Sequence, residues 1–93
     1  MDDVYKKIVD SIVSAQQNVI GPIAIERAEL VCGLHLNWPE HIVTFSADPK
    51  TVLEKLVEEY KKLFGEISVE VCKEAASRFS TELPHDQLPK LLQ

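Results

Sequence analysis

Residues 48–79, DPKTVLEKLVEEYKKLFGEISVEVCKEAASRF, decide the fold. Within them Leu53, Leu56, Tyr60, Leu63 and Ile67 recur at alternating spacings of three and four, and Val52, Val57 and Phe64 widen the stripe. A backbone that turns about 100° per residue gathers such positions on one side, so the spacing predicts a helix with one buried face. Asp48-Pro49 marks its start. The aspartate can accept from first-turn N–H groups, and proline at the first helical position has no N–H to lose. Glu58 with Lys62, and Lys55 with Glu59, stand four apart on the outer side. Each such pair is worth only about 0.2–0.5 kcal/mol, so burial of the stripe must supply the stability.

Working outward, Gly65 interrupts this segment, and the interruption echoes an earlier one. VIGPIAIERA at 19–28 aligns with LFGEISVEVC at 63–72, pairing Gly21 with Gly65, Ile23 with Ile67, Ala24 with Ser68, Ile25 with Val69 and Glu26 with Glu70. Upstream, Ile12 pairs with Leu56 and Val13 with Val57 at the same offset of 44. The pattern predicts two helix–corner–helix units, within the range of helical repeats. Pro22 has become Glu66, which leaves a continuous helix through Gly65 as an alternative.

The first unit opens with Asp2 and Asp3, placed to complement a helix N-terminus. Val4, Ile8, Ile12 and Ala15, with Tyr5, Val9 and Val13, form its apolar side, and Lys6, Lys7, Asp10, Ser11, Ser14 and Gln17 its wet side. Proline obstructs a continuing helix but suits the first turn of a new one, so Gly21-Pro22 predicts a corner. Helices are expected near 3–18, 22–33, 49–64 and 66–80, with Ile23, Ala24, Ala28, Leu30 and Val31 on the buried side of the second. The middle, GLHLNWPEHIVTFS at 33–46, carries a helix stop, a proline and a β-branched run. A lone strand at 42–45 would lack a ladder partner. An extended crossover is therefore expected, with Leu36, Trp38, Ile42 and Phe45 roofing the core. In the tail, Pro84 and Pro89 exclude one regular helix, and a short helical turn over 86–92 should dock on the bundle or on a partner.

The architecture read from these elements is all-α: four main helices as two hairpins, 1–33 and 48–80, joined by the crossover 34–47 and followed by a docking tail 81–93 in one domain. The rival is α+β, with strands near 42–45 and 67–71. The 93 residues are 45% hydrophobic and 27% charged, ordinary for a globular domain and too apolar for disorder. Ten Lys and Arg against fifteen acids give a net charge of −5, without the basic cluster that nucleic acid requires. Apolar runs fall short of a membrane span and the first 20 residues lack a secretion pattern, so a cytoplasmic protein without a membrane partner is expected. Cys32 and Cys72 form no disulfide framework and are expected to pack as small apolar residues.

Chemistry is sparse. Cys32, His35 and His41 are the candidate metal ligands, but they are three where structural zinc takes four, and Cys72 and His85 join them only if the fold brings them close. Surface histidines in a loop are the plainer expectation, with no metal or other cofactor. Glu26 and Glu70 pair through the repeat, yet read as solvated helix glutamates rather than a proton-transfer pair. No nucleophile elbow or Gly-rich phosphate loop is present. Trp38 reads as core roof, not as a base-stacking platform.

The stretch Gly21-Pro22-Ile23-Ala24, closing a first helix, resembles the Gly-Pro-Ile-Ala turn of small bacterial and archaeal helical modules that accompany signalling proteins. LEKLVEEYKKLFGEISVEVCKEA at 53–75 is similar to the same pattern with the proline lost. The resemblance implies a signalling or scaffolding role and transfers no catalytic residue. The expected function is thus a non-enzymatic protein-interaction module, an adaptor or scaffold binding a protein partner or a second copy of itself. Trp38, Leu83, Leu88, Leu91 and Leu92 are the candidate contact residues. A small-ligand or metal sensor using the Cys32–His41 loop is the alternative.

Overall fold

Helix α1 (Asp2–Ile20) and helix α2 (Ile23–Glu29) are followed by strands β1 (Leu34–Asn37) and β2 (Ile42–Phe45), helix α3 (Pro49–Phe64) and helix α4 (Glu66–Ser77). Two 3-10 turns, His85–Gln87 and Lys90–Leu92, complete the chain. This computed structural model describes residues 2–38, 40–79 and 81–92, without the side chains of Asp2, His85 and Leu91. The expectations that rest on the Leu91 and His85 side chains, and on Ser80 as a helix end, lie outside the described residues. The mostly helical class agrees with the sequence.

Helix α3 keeps its expected bounds of 49–64 for the expected reason. Asp48 Oδ2 accepts from the Thr51 N–H at 3.1 Å and from its hydroxyl at 3.0 Å, capping a helix that begins with Pro49. Val52, Leu53, Leu56, Val57 and Tyr60 are buried along its inner face. They meet Tyr5, Ile8, Val9, Ile12 and Val13 of α1 in one core cluster.

The stripe does not run on past Gly65. Leu63 is 39% exposed and Ile67 74%, correcting the expectation that both lie on the buried face. Gly65 adopts φ 78° and ψ −163°, so α3 ends there and α4 starts on a new axis. The phase that carried Leu53, Leu56 and Tyr60 inward is reset, and Ser68, Val69, Cys72, Ala75 and Ala76 are the buried positions of α4. Gly65 is thus a true break. Residues 67–71 are helical, against the strand that the rival reading put there.

The crossover is not simply extended. β1 and β2 pair antiparallel with Leu34 opposite Phe45, His35 opposite Thr44, Leu36 opposite Val43 and Asn37 opposite Ile42. The strand at 42–45 therefore has a partner: the alternation Leu34-His35-Leu36-Asn37, with Leu34 and Val43 buried beneath the hairpin. Ile42 points outward and is exposed, so of the four expected roof residues only Leu36, Trp38 and Phe45 pack on the core.

Helix α2 stops at Glu29, short of the expected residue 33. Its end tightens into i→i+3 bonds, Leu30 N–H to Arg27 and Val31 N–H to Ala28, before Gly33 turns the chain at φ 88°. A Cβ at position 33 would lie 2.7 Å from the Ala47 Cβ, so no other residue fits without displacement. Leu30, expected on the buried side of α2, is exposed as a result.

The tail folds back. Leu83, Leu88, Pro89 and Leu92 are buried. Tyr5 donates its hydroxyl hydrogen to the Gln87 carbonyl at 2.6 Å, and Lys50 donates to that of Asp86 at 3.1 Å. Leu83, Leu88 and Leu92 thus belong to this chain's own core and are not available as a contact surface.

Candidate functional site

Two hydrogen bonds join the halves at the centre of the molecule. Gln16 of α1 donates from Nε2 to the Ser68 carbonyl of α4 at 3.0 Å, and Tyr60 of α3 donates its hydroxyl hydrogen to the Ala24 carbonyl of α2 at 2.6 Å. The offset of 44 that maps Gln16 onto Tyr60 also maps Ala24 onto Ser68. Each half therefore reaches across to the same carbonyl position of the other. Burial follows the same register: Ile8 with Val52, Val9 with Leu53, Ile12 with Leu56, Val13 with Val57, Ala28 with Cys72 and Val31 with Ala75 are all buried pairs.

The bridge is electrostatically quiet. Gln16 Nε2 also lies 3.4 Å from Cys72 Sγ, while Gln16 Oε1 is buried without a partner. Burial pushes the Cys72 thiol up to about 11, against a smaller lowering by the Gln16 amide. Burial, with the Cys72 sulfur second, drives the Tyr60 phenol above its ordinary value. A buried, protonated thiol is a poor nucleophile, so this cluster acts as a structural tie.

The tie has a geometric consequence. Gln16 stands five residues before Gly21, and Ser68 three after Gly65; Tyr60 stands five before Gly65, and Ala24 three after Gly21. Both corners therefore lie within about a turn of the crossed bonds. Ser11 Oγ donates to the Ala75 carbonyl while Gln16 reaches that of Ser68, so α1 and α4 run antiparallel and the C-terminal end of α1 lies beside the start of α4, just past Gly65. Val19, 60% exposed, and Leu63 flank this end before the two glycines, and Ile67 follows the second. Ile20 and Phe64, packed partly on the core, fill in behind them. Among the described residues the exposed large apolar side chains are Val19, Leu30, Ile42, Leu63 and Ile67, and three of these five stand at the corners.

The sequence candidates are dispersed. Cys32 is exposed in the turn between α2 and β1, which corrects its expected apolar packing; Cys72 is buried as expected. His35 on β1 bonds Ser46 Oγ at 3.0 Å, and His41 Nδ1 lies 2.7 Å from Asp10 Oδ1 on α1. Among the described residues no group of three His, Cys, Asp or Glu side chains is close enough to hold a metal ion. His41 takes φ 60°, an uncommon conformation for a non-glycine residue, and its ring packs 4.1 Å from the half-buried Trp38 ring, tilted 42° to it. His41 thereby ties the hairpin tip to α1 through Asp10. Glu26 and Glu70 are both exposed.

Sequence reading missed the crossed bonds because it assigned Gln16 to neither the apolar nor the wet side of the first helix. The signal available was its alignment with the core residue Tyr60. A shallow groove of about 400 Å³ beside α1, lined by Lys7, Asp10, Ser11, Ser14, Asn18 and Arg78, was likewise unforeseen. No helix among the described residues is long and apolar enough to cross a membrane. Set beside known protein families, curated proteins and solved structures, the chain finds no match.

Proposed function

We propose that this chain is a non-enzymatic protein-interaction module, an adaptor or scaffold of the cytoplasm, built as two helical hairpins facing each other. One observation carries the reading: Val19, Leu63 and Ile67, each two residues from a corner glycine, are all exposed. Single exposed apolar residues are ordinary, but their concentration beside the corner glycines is the pattern of a contact surface. The signalling association rests on the Gly21–Ala24 turn alone. It defines a class of partner rather than an individual one.

The test is photo-cross-linking in cells, with a photoreactive residue in place of Val19 and, separately, of Glu54 on α3. The reading expects a defined protein adduct from position 19 and none from position 54. Equal adducts from both, or none from either, would remove the corner end as the contact surface.

A small-ligand sensor is the second reading, favoured by the groove beside α1. Lys7 and Arg78 flank it, two cations that suit a small anion, although Asp10 also faces it, Lys7 bridges to Glu82 at 3.5 Å, and the Ser11 and Ser14 hydroxyls already donate to the Ala75 carbonyl and to Asp10. Titration with inorganic phosphate should shift the amide resonances of residues 7–18 selectively if this reading holds. Uniform or absent shifts would exclude phosphate as its ligand. Elemental analysis tests the metal arm, for which no bound zinc is expected.

A further inference from the structure

We propose that His41 is a phosphoryl-acceptor site, whose Nε2 takes a phosphoryl group from a small phosphoramidate donor while Asp10 positions the ring. The site lies between the hairpin tip and α1 and does not depend on the contact proposed at the corner glycines. A stoichiometric acceptor needs no turnover, so it is compatible with a non-enzymatic module.

The His41 ring is held in one orientation. Its Nδ1 lies 2.7 Å from Asp10 Oδ1. A carboxylate oxygen only accepts, so Nδ1 carries the hydrogen and the lone pair of the neutral ring is left on Nε2. Ser14, one turn along α1, donates its hydroxyl hydrogen to the same Asp10 oxygen at 3.2 Å and steadies the carboxylate. On the other side the ring packs against Trp38. The positive φ of His41 adds to this: such backbone persists where the surroundings hold it, and it gathers at functional sites. Nε2, by contrast, has no hydrogen-bond partner among the described residues, and the side chain is 47% exposed. A carboxylate on one ring nitrogen and an open lone pair on the other is the arrangement that turns imidazole into a base or nucleophile. His35 is the internal contrast, because its Nε2 is already engaged by Ser46 Oγ.

The surroundings select the substrate class. Lys6 and Lys7 line the same recess of about 300 Å³ as His41 and Asp10. Lys6 has no acid partner among the described residues, and Lys7 is shared with Glu82 at 3.5 Å. The neighbouring acids are already engaged, Asp10 by His41 and Ser14, and Glu40 by the Asn37 amide at 3.1 Å. Ammonium groups beside an open imidazole nitrogen suit a compact dianion such as a phosphoryl group.

In the reaction the Nε2 lone pair forms a bond to phosphorus as the donor's P–N bond breaks. The bonding pair leaves with the donor nitrogen, already protonated, as ammonia or a neutral amine. The Nδ1 hydrogen stays in place, so the ring gains one positive charge as it takes on the phosphoryl group. Asp10 balances that charge, and Lys6 and Lys7 face the phosphoryl oxygens.

The test is incubation of the full chain with potassium phosphoramidate, followed by mass mapping and by NMR of the ¹⁵N-labelled imidazoles. His41 should be modified at Nε2, at least about tenfold faster than His35. Asp10→Ala frees the ring, so it should slow His41 at least about tenfold and leave His35 unchanged. The His41 product should then spread over both ring nitrogens, a change of position that a loss of stability alone would not produce. A His41 rate equal to that of His35, modification at Nδ1 in the parent, or an Asp10→Ala variant that reacts like the parent would each overturn the proposal. Thermal unfolding shows whether Asp10→Ala folds. If it does not, the rate and position of modification at His41 against His35 in the parent decide the matter alone.

Discussion

The two halves of the molecule solve the same local problem differently. Both turn at a glycine of nearly equal φ, Gly21 at 79° and Gly65 at 78°, and both bury equivalent residues on either side. Beyond the corner they diverge. The second half continues as α4 for 12 residues, while α2 lasts 7 before Gly33 directs the chain into the β-hairpin. The same register thus supports two outcomes, and what separates them is a glycine with no counterpart: Ser77 stands where Gly33 would repeat. Core register and element length are separable properties of a repeat.

The largest test of that shared register is truncation at its centre. Leu56 and its equivalent Ile12 are both fully buried, so Leu56→Ala and Ile12→Ala should each cost about 2–5 kcal/mol. Total stability of a domain this size is of order 5–10 kcal/mol, so either variant should be marginal. Lys61→Ala, on the surface, should stay within about 0.5 kcal/mol. Urea unfolding midpoints at matched slope decide it. A large loss at Leu56 with none at Ile12 would mean that the halves do not share one core.

Next in size is the contrast between the two thiols. At neutral pH a thiol raised to about 11 ionises about 100-fold less than one at the ordinary 9.0. Cys72 is buried as well, whereas Cys32 is exposed. Alkylation followed by mass spectrometry should therefore modify Cys32 first, with Cys72 at least about 100-fold slower until the chain unfolds. The same shift has a sign for stability. The folded thiol holds its proton more tightly than the unfolded one, so this contribution is intact below about pH 9 and is lost as pH rises through about 11. Tyr60, raised in the same direction, extends the loss to higher pH. Equal labelling of the two thiols in the folded chain would show that the crossed bridge opens readily.

Smaller again is the difference between glycines. Gly33→Ala meets both a positive φ and the Ala47 Cβ, whereas Gly65→Ala meets only the positive φ, with nothing within 4 Å. The backbone term is about 1–2 kcal/mol in either case. The overlap should add about 1–3 kcal/mol at Gly33 alone. Unfolding midpoints of the two variants, compared directly, check this. Equal losses would mean that the loop holding Ala47 yields without cost.

These contrasts also mark what the sequence made legible. Helix α3 was readable to the residue because a long stripe, an aspartate cap and a proline agree on one answer. The corner at Gly21 was legible from the proline that follows it, whereas at Gly65, with Glu66 in place of proline, a continuous helix remained an open alternative. The hairpin was not legible: each strand is only four residues, too short for alternation to stand out, and its partner strand lies among residues that read as a helix stop. Ile67 was misassigned because periodicity was carried across Gly65, where the helix ends; Leu63 keeps the phase of α3 but stands in its last turn, where it is part-exposed. Leu83, Leu88 and Leu92 were readable as apolar, but whether an apolar tail covers its own core or a partner is set by chain geometry that composition does not contain. At the metal candidates, spacing could not foresee that His35 and His41 take separate partners in Ser46 and Asp10.

The finest distinction between the halves lies in the crossed bonds themselves. Tyr60 makes one short bond and has no orphaned atom, whereas Gln16 satisfies its amide nitrogen and leaves Oε1 buried without a partner. Tyr60→Phe therefore removes a bond and returns nothing, and should cost about 0.5–1.5 kcal/mol. Gln16→Met keeps the shape and removes two opposing terms at once. It gives up the bond to the Ser68 carbonyl, and it relieves the unpaired oxygen, whose desolvation costs about 1–3 kcal/mol. The Ser68 carbonyl, left without the amide, remains the partner of α4's own helical N–H groups, so its loss is partial. The balance should fall near zero or be slightly stabilising, opposite in sign to Tyr60→Phe at the equivalent position. Urea midpoints for both, each beside the parent, give the comparison. Equal destabilisation by the two would mean that Gln16 Oε1 is satisfied in solution, and that the bridge is as complete on the α1 side as on the α3 side.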